Sequence, residues 1–353
     1  MQWKPLVTFL LCLPLFSGGC SSHTPSTTVV IGSKNFTEQF ILAEIMAQLI
    51  EARTDLTVKR VTNLGGTMIC HKALTEGEID IYPEYTGTAL TVILKEKPVT
   101  DPQQDFNRVA DAYRTRYAVQ WLPPFGFNNT YAITVRQSDA KNHHWQKISD
   151  LKSEAPTLRA GFTAEFVARS DGYPGLKRAY KFHFGSIHDM DPGLMYKAIA
   201  NGEVDVICAF STDGRIAAYN LQPLTDDRSF FPPYFAAPLV RSETLRRHPE
   251  IKTVLASLAG KIDNTAMQQL NYAVDEKKQA VRTVAHNFLL GAGLVPNNSN
   301  RCATGPRNYI KVSISAGAVG EVYRDRATGL PPAVQWHRVE KTSLWSIGNR
   351  TYP

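Results

Sequence analysis

Four aromatic residues stand where an α/β protein takes small ligands. Tyr85, Tyr131, Phe210 and Tyr234 each fall where a strand ends or where the chain crosses between two halves, and open α/β sheets bind at the loops that follow their strands. Any one of them could be a core or hinge ring. Together, in echoing positions, they suggest a box of π faces. A quaternary ammonium suits such a box best, because it is cationic but has no N–H to offer a carboxylate. Other chemistry is poorly represented. The chain has no HExxH, no GxSxG, no Walker loop and no GxGxxG followed by an acidic residue, the signatures of common hydrolases and nucleotide-binding proteins. His143-His144 and the pair His183 and His188 are too close or wrongly spaced for one metal-binding helix face, and surface positions are expected for them. Asn63-Leu64-Gly65-Gly66-Thr67 reads either as an anion cradle at the start of the next helix or as a glycine turn with Thr67 as its N-cap.

The elements that position these residues come in two matching sets. Lys72-Ala73-Leu74-Thr75-Glu76-Gly77-Glu78-Ile79-Asp80-Ile81 is repeated in kind by Lys197-Ala198-Ile199-Ala200-Asn201-Gly202-Glu203-Val204-Asp205-Val206. Each copy reads as a helix end, a closing glycine and a β-branched strand. Each strand then reaches an aromatic followed by small hydroxyl and glycine residues, with Tyr85 and Phe210 in equivalent places. Upstream, Val29-Val30-Ile31 leads through Gly32 to a helix opening at Thr37-Glu38-Gln39-Phe40, and Leu158-Arg159-Ala160 leads through Gly161 to Thr163-Ala164-Glu165-Phe166. In the first helix Ile41, Ile45 and Leu49, with Leu42, Met46 and Ile50, make one broad buried stripe. Strand, helix, strand, helix, strand in each half predicts two similar α/β lobes with a cleft between them. Two aromatic, turn-rich stretches, Phe125 to Tyr131 and Phe230 to Tyr234, bracket the second copy and are the candidate crossings. The segment from Leu245 to about Leu290 is helical in pattern and returns to lobe one.

Composition is that of a soluble globular chain with room for two domains. Of 353 residues 43% are hydrophobic and 20% charged, and 39 Lys+Arg stand against 32 Asp+Glu. The net charge of +7 is spread without a block of five like charges, so no nucleic-acid partner is expected. Of five cysteines, Cys12 and Cys20 lie in the first twenty residues, and Cys70, Cys208 and Cys302 show no CxxC spacing. No disulfide framework, metal site or cofactor is expected. Residues 1–19 have the layout of a signal peptide: Lys4, the apolar run Leu6 to Phe16, then Ser17, Gly18 and Gly19 before Cys20. That run is too short to span a bilayer. Small residues before a cysteine look like a lipoprotein processing site, although Ser17 stands where Leu is usual, and simple cleavage is the alternative.

Several longer motifs carry a resemblance. Gly32-Ser33-Lys34-Asn35-Phe36-Thr37-Glu38-Gln39, Asn63-Leu64-Gly65-Gly66-Thr67, Asp80-Ile81-Tyr82-Pro83-Glu84-Tyr85-Thr86-Gly87-Thr88, Pro124-Phe125-Gly126-Phe127-Asn128-Asn129-Thr130-Tyr131 and Ser211-Thr212-Asp213-Gly214-Arg215-Ile216 occur in this order. Over roughly residues 28 to 292 the chain resembles the extracytoplasmic substrate-binding components of compatible-solute ABC importers for glycine betaine, choline or carnitine. The resemblance implies a two-lobed type II periplasmic-binding-protein fold, α/β, with two crossing strands. Lobe one would take residues 28–131 and 236–292, lobe two 132–235, and a C-terminal extension 295–353. It implies a tyrosine cage mapping onto Tyr85, Tyr131 and Tyr234, with Phe210 where a fourth tyrosine is usual. A phenyl ring keeps the cation–π face, and losing the hydroxyl is worth on the order of 1 kcal/mol in either direction. For a ligand carboxylate, the N–H groups of the helix near Thr37 and the side chains of Gln39 and Thr88 are donors, and the resemblance also puts Gln39 and Thr88 at the cleft. A neutral Thr88 leaves zwitterions open, where an aspartate would favour choline.

The expected protein is therefore an exported, monomeric solute-binding protein, lipid-anchored through Cys20, delivering a quaternary ammonium osmolyte to an ABC permease. No catalysis is required. One rival is a binder of another small cation or amino acid. Another is a secreted enzyme on the same scaffold, kept open by Glu84 and Asp213, which lie near cleft residues in sequence. A third is an interaction protein working through its C-terminal extension, where Tyr309 to Ile314, Val319 to Tyr323 and Ala333 to Val339 alternate like short strands.

Overall fold

Two five-stranded sheets built to one plan organise the chain. The first contains β1 (Thr28–Gly32), β2 (Thr57–Val61), β3 (Ile81–Tyr85), β4 (Val119–Trp121) and, from far along the chain, β10 (Ala236–Arg241), in the order β2-β1-β3-β10-β4. The second contains β5 (Tyr131–Arg136), β6 (Arg159–Phe162), β7 (Ser186–Asp189), β8 (Val206–Phe210) and β9 (Leu221–Pro223), in the order β7-β6-β8-β5-β9. In each, three parallel strands are followed by an antiparallel strand that has crossed from the other lobe, β10 beside β3 and β5 beside β8. The molecule thus has the two-lobed α/β architecture expected of it. The computed structural model describes residues 27–99 and 101–296, and beyond them only 310–314, 318–322 and 334–338. The leader, Cys20 and Cys302 lie outside the described residues.

The sequence echo has a physical meaning. The helix α2 (Thr67–Glu76) stops at Gly77, whose φ of 84° suits a residue without Cβ, and Gly202 (φ 75°) follows the helix Met195–Ala200 in the same way. The next residue's N–H reaches back to the last turn, Glu78 to the Ala73 carbonyl and Glu203 to that of Ala198, both at 2.9 Å. The aspartate two residues on clamps the start of its own strand to the neighbouring parallel strand. Asp80 accepts from the Val30 N–H at 2.9 Å and donates its own N–H to the Val30 carbonyl at 2.8 Å, and Asp205 does the same with Arg159 at 3.0 and 2.8 Å. The last residue of each crossing strand supplies a guanidinium to that aspartate, Arg241 at 3.6 Å and Arg136 at 3.0 Å. One motif therefore ends a helix, starts a strand and secures the crossing strand beside it.

The first helix, α1 (Thr37–Arg53), departs from its expected single stripe. Ile41, Leu42, Ala43, Ile45, Met46, Ala47, Leu49 and Ile50 are all without exposed surface. The reason is that α1 touches the sheet strands and also the helices Glu250–Ala256, Asn264–Asp275 and Val281–Gly291, whose Leu255, Met267, Ala285 and Leu289 join its core. That returning segment is helical as expected and comprises four helices, beginning with Ser242–Arg247. The C-terminal residues form a unit of their own, an antiparallel sheet of β11 (Ile310–Ile314), β12 (Ala318–Val322) and β13 (Val334–Arg338). Among the described residues no helix is long and apolar enough to cross a membrane.

The aspartate clamp makes a pH-dependent prediction. Burial alone would raise the Asp205 carboxyl, but Arg159 and Arg136 hold it well below the usual range. A depressed carboxylate stabilises the fold fully above the unfolded pKa of about 3.9, and that contribution is lost as pH falls through the lower folded value. Asp205→Ala should therefore cost about 2 kcal/mol in urea unfolding at pH 7, with the gap from the parent protein narrowing once pH falls below about 3.9.

Candidate functional site

The third strand of each sheet delivers an aromatic to the gap between the lobes. Tyr85 ends β3 and pairs with Ala236, and Phe210 ends β8 and pairs with Tyr131, the first residue of β5. Tyr234 comes from the second crossing, which is tied to the first by its N–H donating to Asn128 Oδ1 at 2.7 Å. Tyr85, Tyr131, Phe210, Tyr234 and Thr88 border one cavity of about 320 Å³, the scale of a small-molecule site. The Tyr131 ring centroid lies 5.7 Å from that of Phe210 and 5.5 Å from that of Tyr234, the latter edge-on. Sequence reasoning missed a fifth ring. Phe36 lies flat on Phe210, 5.4 Å away at 5°, and stacks beside Tyr85 at 6.3 Å and 22°. The signal was available, because Phe36 occupies the N-cap of α1, where a small polar residue is usual.

Gln39 has a different place from the one expected. It does not border the cavity. Its Nε2 donates to Tyr85 Oη at 3.1 Å and its Oε1 accepts from the Lys34 N–H at 3.2 Å, so both ends of the amide are engaged behind the cage. The same Tyr85 hydroxyl donates to Glu38 Oε1 at 2.7 Å. Glu38 is 2% exposed and also receives Asn129 Nδ2 at 2.8 Å, Thr212 Oγ1 at 2.5 Å and Asn271 Nδ2 at 3.3 Å. Burial pushes its carboxyl above the ordinary value, and these four donors pull the other way. Burial likewise lifts the Tyr85, Tyr131 and Tyr234 phenols far above physiological pH, so the rings stay neutral.

A second polar group flanks the rings from lobe two. Arg169, 9% exposed, makes a two-pronged pair with Asp171 at 2.9 and 2.6 Å, and its Nη2 also donates to Thr88 at 3.1 Å. Its Nη1 lies 3.9 Å from Glu165 Oε2. The guanidinium lies 5.5 Å from the Tyr131 centroid. Asp171 further accepts from Tyr234 Oη at 2.8 Å and Thr91 Oγ1 at 2.9 Å. Burial alone would raise its carboxyl, yet Arg169 and these hydroxyls hold it below the usual range. On the lobe-one side Lys34 sits 5.1 Å from the Tyr85 centroid and is neutralised by Glu84 at 2.5 Å. Glu84, fully buried, also takes the Tyr82 hydroxyl at 3.0 Å, and Asp213 is held by two prongs of Arg215. Both acids that kept an enzyme reading open are committed to neighbours.

The lobes meet across the gap through directed bonds. Glu165 Oε1 of lobe two accepts from the Thr67 N–H at the start of α2, 2.6 Å away. Thr67 is the first helical residue and Gly66 the cap, so the anion-cradle reading of this loop holds with the protein's own carboxylate as the anion. Arg169 to Thr88, Thr91 to Asp171, Thr212 to Glu38, and Tyr219 Oη to Glu276 at 2.7 Å make further links between the halves.

Comparison with known proteins gives this geometry its context. The family model for the substrate binding domain of ABC-type glycine betaine transport systems matches residues 27–290. The carnitine transport binding protein OpuCC of Listeria monocytogenes is 40% identical over 286 residues, covering 79% of this chain and 93% of that one. A glycine-betaine-binding protein of Pseudomonas aeruginosa is 37% identical over 292 residues, covering 79% and 92%. Among solved structures, a glycine betaine/carnitine/choline ABC transporter protein superposes with a TM-score of 0.63 at 38% identity, covering 75% of this chain and 99% of that one. A chain matched over both its lobes in this way belongs to the family of substrate-binding domains of ABC-type glycine betaine transport systems.

Proposed function

We propose that the protein binds a zwitterionic quaternary ammonium solute between its lobes and presents it, unchanged, to an ABC permease. The reading rests on one observation above the rest: rings contributed from both lobes and both crossings border a single cavity that also holds a buried guanidinium. The onium group sits against Tyr85, Tyr131, Tyr234 and the free face of Phe210, with Phe36 backing the last. Each face contributes on the order of 0.5–2 kcal/mol when desolvated. Lys34 and Arg169 do not displace such a ligand, because Glu84 and Asp171 neutralise them.

The carboxylate end follows from which donors are still available. Gln39 is engaged behind the rings, whereas Arg169 and Thr88 border the cavity. Arg169 therefore takes the role of principal carboxylate partner, with Thr88 beside it, and choline, which lacks a carboxylate, is the weaker ligand. Closure converts the ligand's preference for two-lobed contact into a shift toward the closed form, which the permease reads. In the cell the chain acts as a monomer outside the cytoplasmic membrane, held there by lipid on Cys20.

Three experiments test this reading. In titration calorimetry glycine betaine and carnitine should bind, choline should bind more weakly, and Tyr131→Ala should weaken the zwitterions by tenfold or more; loss of no affinity would favour another class of ligand. Inter-lobe fluorescence transfer should show the closed population falling in Thr212→Val and Glu165→Ala, roughly tenfold per lost bond to a charged group, and an unchanged distribution would remove these contacts from closure. Expressed with its leader, the parent protein should partition with membranes and Cys20→Ser should not.

A further inference from the structure

The hydrogen bonds behind Tyr85 can run in one direction only. They start at a group that can only donate, the Lys34 backbone N–H, which gives its proton to Gln39 Oε1 at 3.2 Å. That sets the amide, so Gln39 Nε2 faces the Tyr85 hydroxyl, 3.1 Å away, as a donor. A phenol has one proton. With Gln39 donating to its oxygen, the Tyr85 O–H is left to point at Glu38 Oε1, 2.7 Å away. The Asn129 amide meets the same carboxylate oxygen at 2.8 Å, and Thr212 and Asn271 meet the other at 2.5 and 3.3 Å.

Charge around the cage is unevenly matched. Lys34, 5.1 Å from the Tyr85 centroid, is balanced by Glu84, and Arg169, 5.5 Å from that of Tyr131, is balanced by Asp171. Among the described residues Glu38 has no such partner, because the four groups around it are neutral donors. It does not border the cage cavity, but the Tyr85 ring that it holds does. Two effects then act in the same sense. An O–H that donates to an anion leaves its ring richer in electrons, which strengthens the negative π face. The unbalanced anion itself attracts a cation across a dry wall, where Coulomb forces are weakly screened. We propose that Glu38, without touching the ligand, sets the preference of the cage for a positively charged headgroup over a neutral one of the same shape, as a positioning residue acting through Tyr85. The inference rests on the cage reading of the site and adds to it a charge-selecting residue behind the rings. The selection is one-sided, since Ala164 stands at the matching position of lobe two and Phe210 has no hydroxyl to hold.

The test is a matched pair of ligands: glycine betaine and its carbon isostere, the tert-butylacetate anion, in which a quaternary carbon stands where the ammonium nitrogen was. Both are measured by calorimetry on the full chain, the weaker by displacement of the stronger. The parent protein should prefer the betaine by roughly a hundredfold, the combined effect of several desolvated faces. Glu38→Gln, which keeps the size of the side chain and removes its charge, should lower that preference by roughly tenfold. The ratio is informative because general damage to the site lowers both affinities alike. Glu38→Asp, which keeps the charge on a shorter arm, should hold the ratio near that of the parent even where both affinities fall. Tyr85→Phe keeps the ring but breaks its link to the carboxylate, and should also reduce the ratio. A ratio left unchanged by Glu38→Gln, or by Tyr85→Phe where the Glu38 variants do not fold, overturns the proposal, as does an equal fall in Glu38→Asp. Equal binding of the two ligands by the parent protein, or binding of neither, defeats the cage reading instead.

Discussion

A buried carboxylate, Glu38, ties the candidate site together. A charge removed from water is costly unless neighbours replace the lost hydration, and here the replacement is four neutral donors from four parts of the chain: the end of β3, the first crossing, the loop after β8 and the helix Asn264–Asp275. The position at the second residue of α1 adds the positive end of the helix dipole. None of these partners is ionic, so Glu38 keeps its appetite for donors and holds each one in place. The orientation of the Tyr85 ring, the setting of the Asn129 amide and the approach of Thr212 from lobe two are consequences of satisfying one anion.

Closure follows the same economy of charge. Arg169 is paired with Asp171 inside lobe two, and Lys34 with Glu84 inside lobe one. Opening therefore strands no cation in a dry interior. The links that cross the gap include the ion pair of Arg215 with Asp275 at 3.3 Å and hydrogen bonds such as Arg169 to Thr88 and Thr91 to Asp171, the latter each replaceable by water at modest net cost. The two arrangements can then differ by only a few kcal/mol, which is the range in which a small ligand's differential contacts decide the population.

What the sequence discloses is the local chemistry. The glycine that ends a helix, the β-branched run and the aspartate beside a strand act on neighbours a few residues away, so their repetition reveals two lobes before any contact is known. Tyr85 and Phe210 are legible for the same reason, since a strand end is a local feature. Glu38 and Arg169 are not, because their roles lie in partners far along the chain, Thr212 for one and Thr88 for the other. Gln39 shows the limit most plainly. Its residue type suits a cavity donor, but a side-chain direction that spacing does not encode turns it beneath Tyr85. Likewise α1 shows a stripe in sequence but is buried on most of its circumference in the structure, because the second layer of helices that covers it arrives about 200 residues later.

The echo also explains how two lobes of one design can grip a ligand with two unlike ends. In the matched helix starts Glu38 corresponds to Ala164 and Gln39 to Glu165. In lobe one the acid and amide both turn inward and hold the hydroxyl of their own lobe's ring. In lobe two there is no such acid, the ring is a phenylalanine with no hydroxyl to hold, and the glutamate turns outward to the start of α2 in the other lobe. Phe210 and Ala164 are matched in kind, since neither carries the polar group that Tyr85 and Glu38 pair in lobe one. The lobe-two face so freed of polarity packs against Phe36, and the charge that lobe two does bring, Arg169, stands beside Thr88 and 5.5 Å from the Tyr131 ring. Divergence at two adjacent positions of a repeated helix start thus accompanies a lobe-one ring held by its hydroxyl and a lobe-two ring that presents only apolar faces.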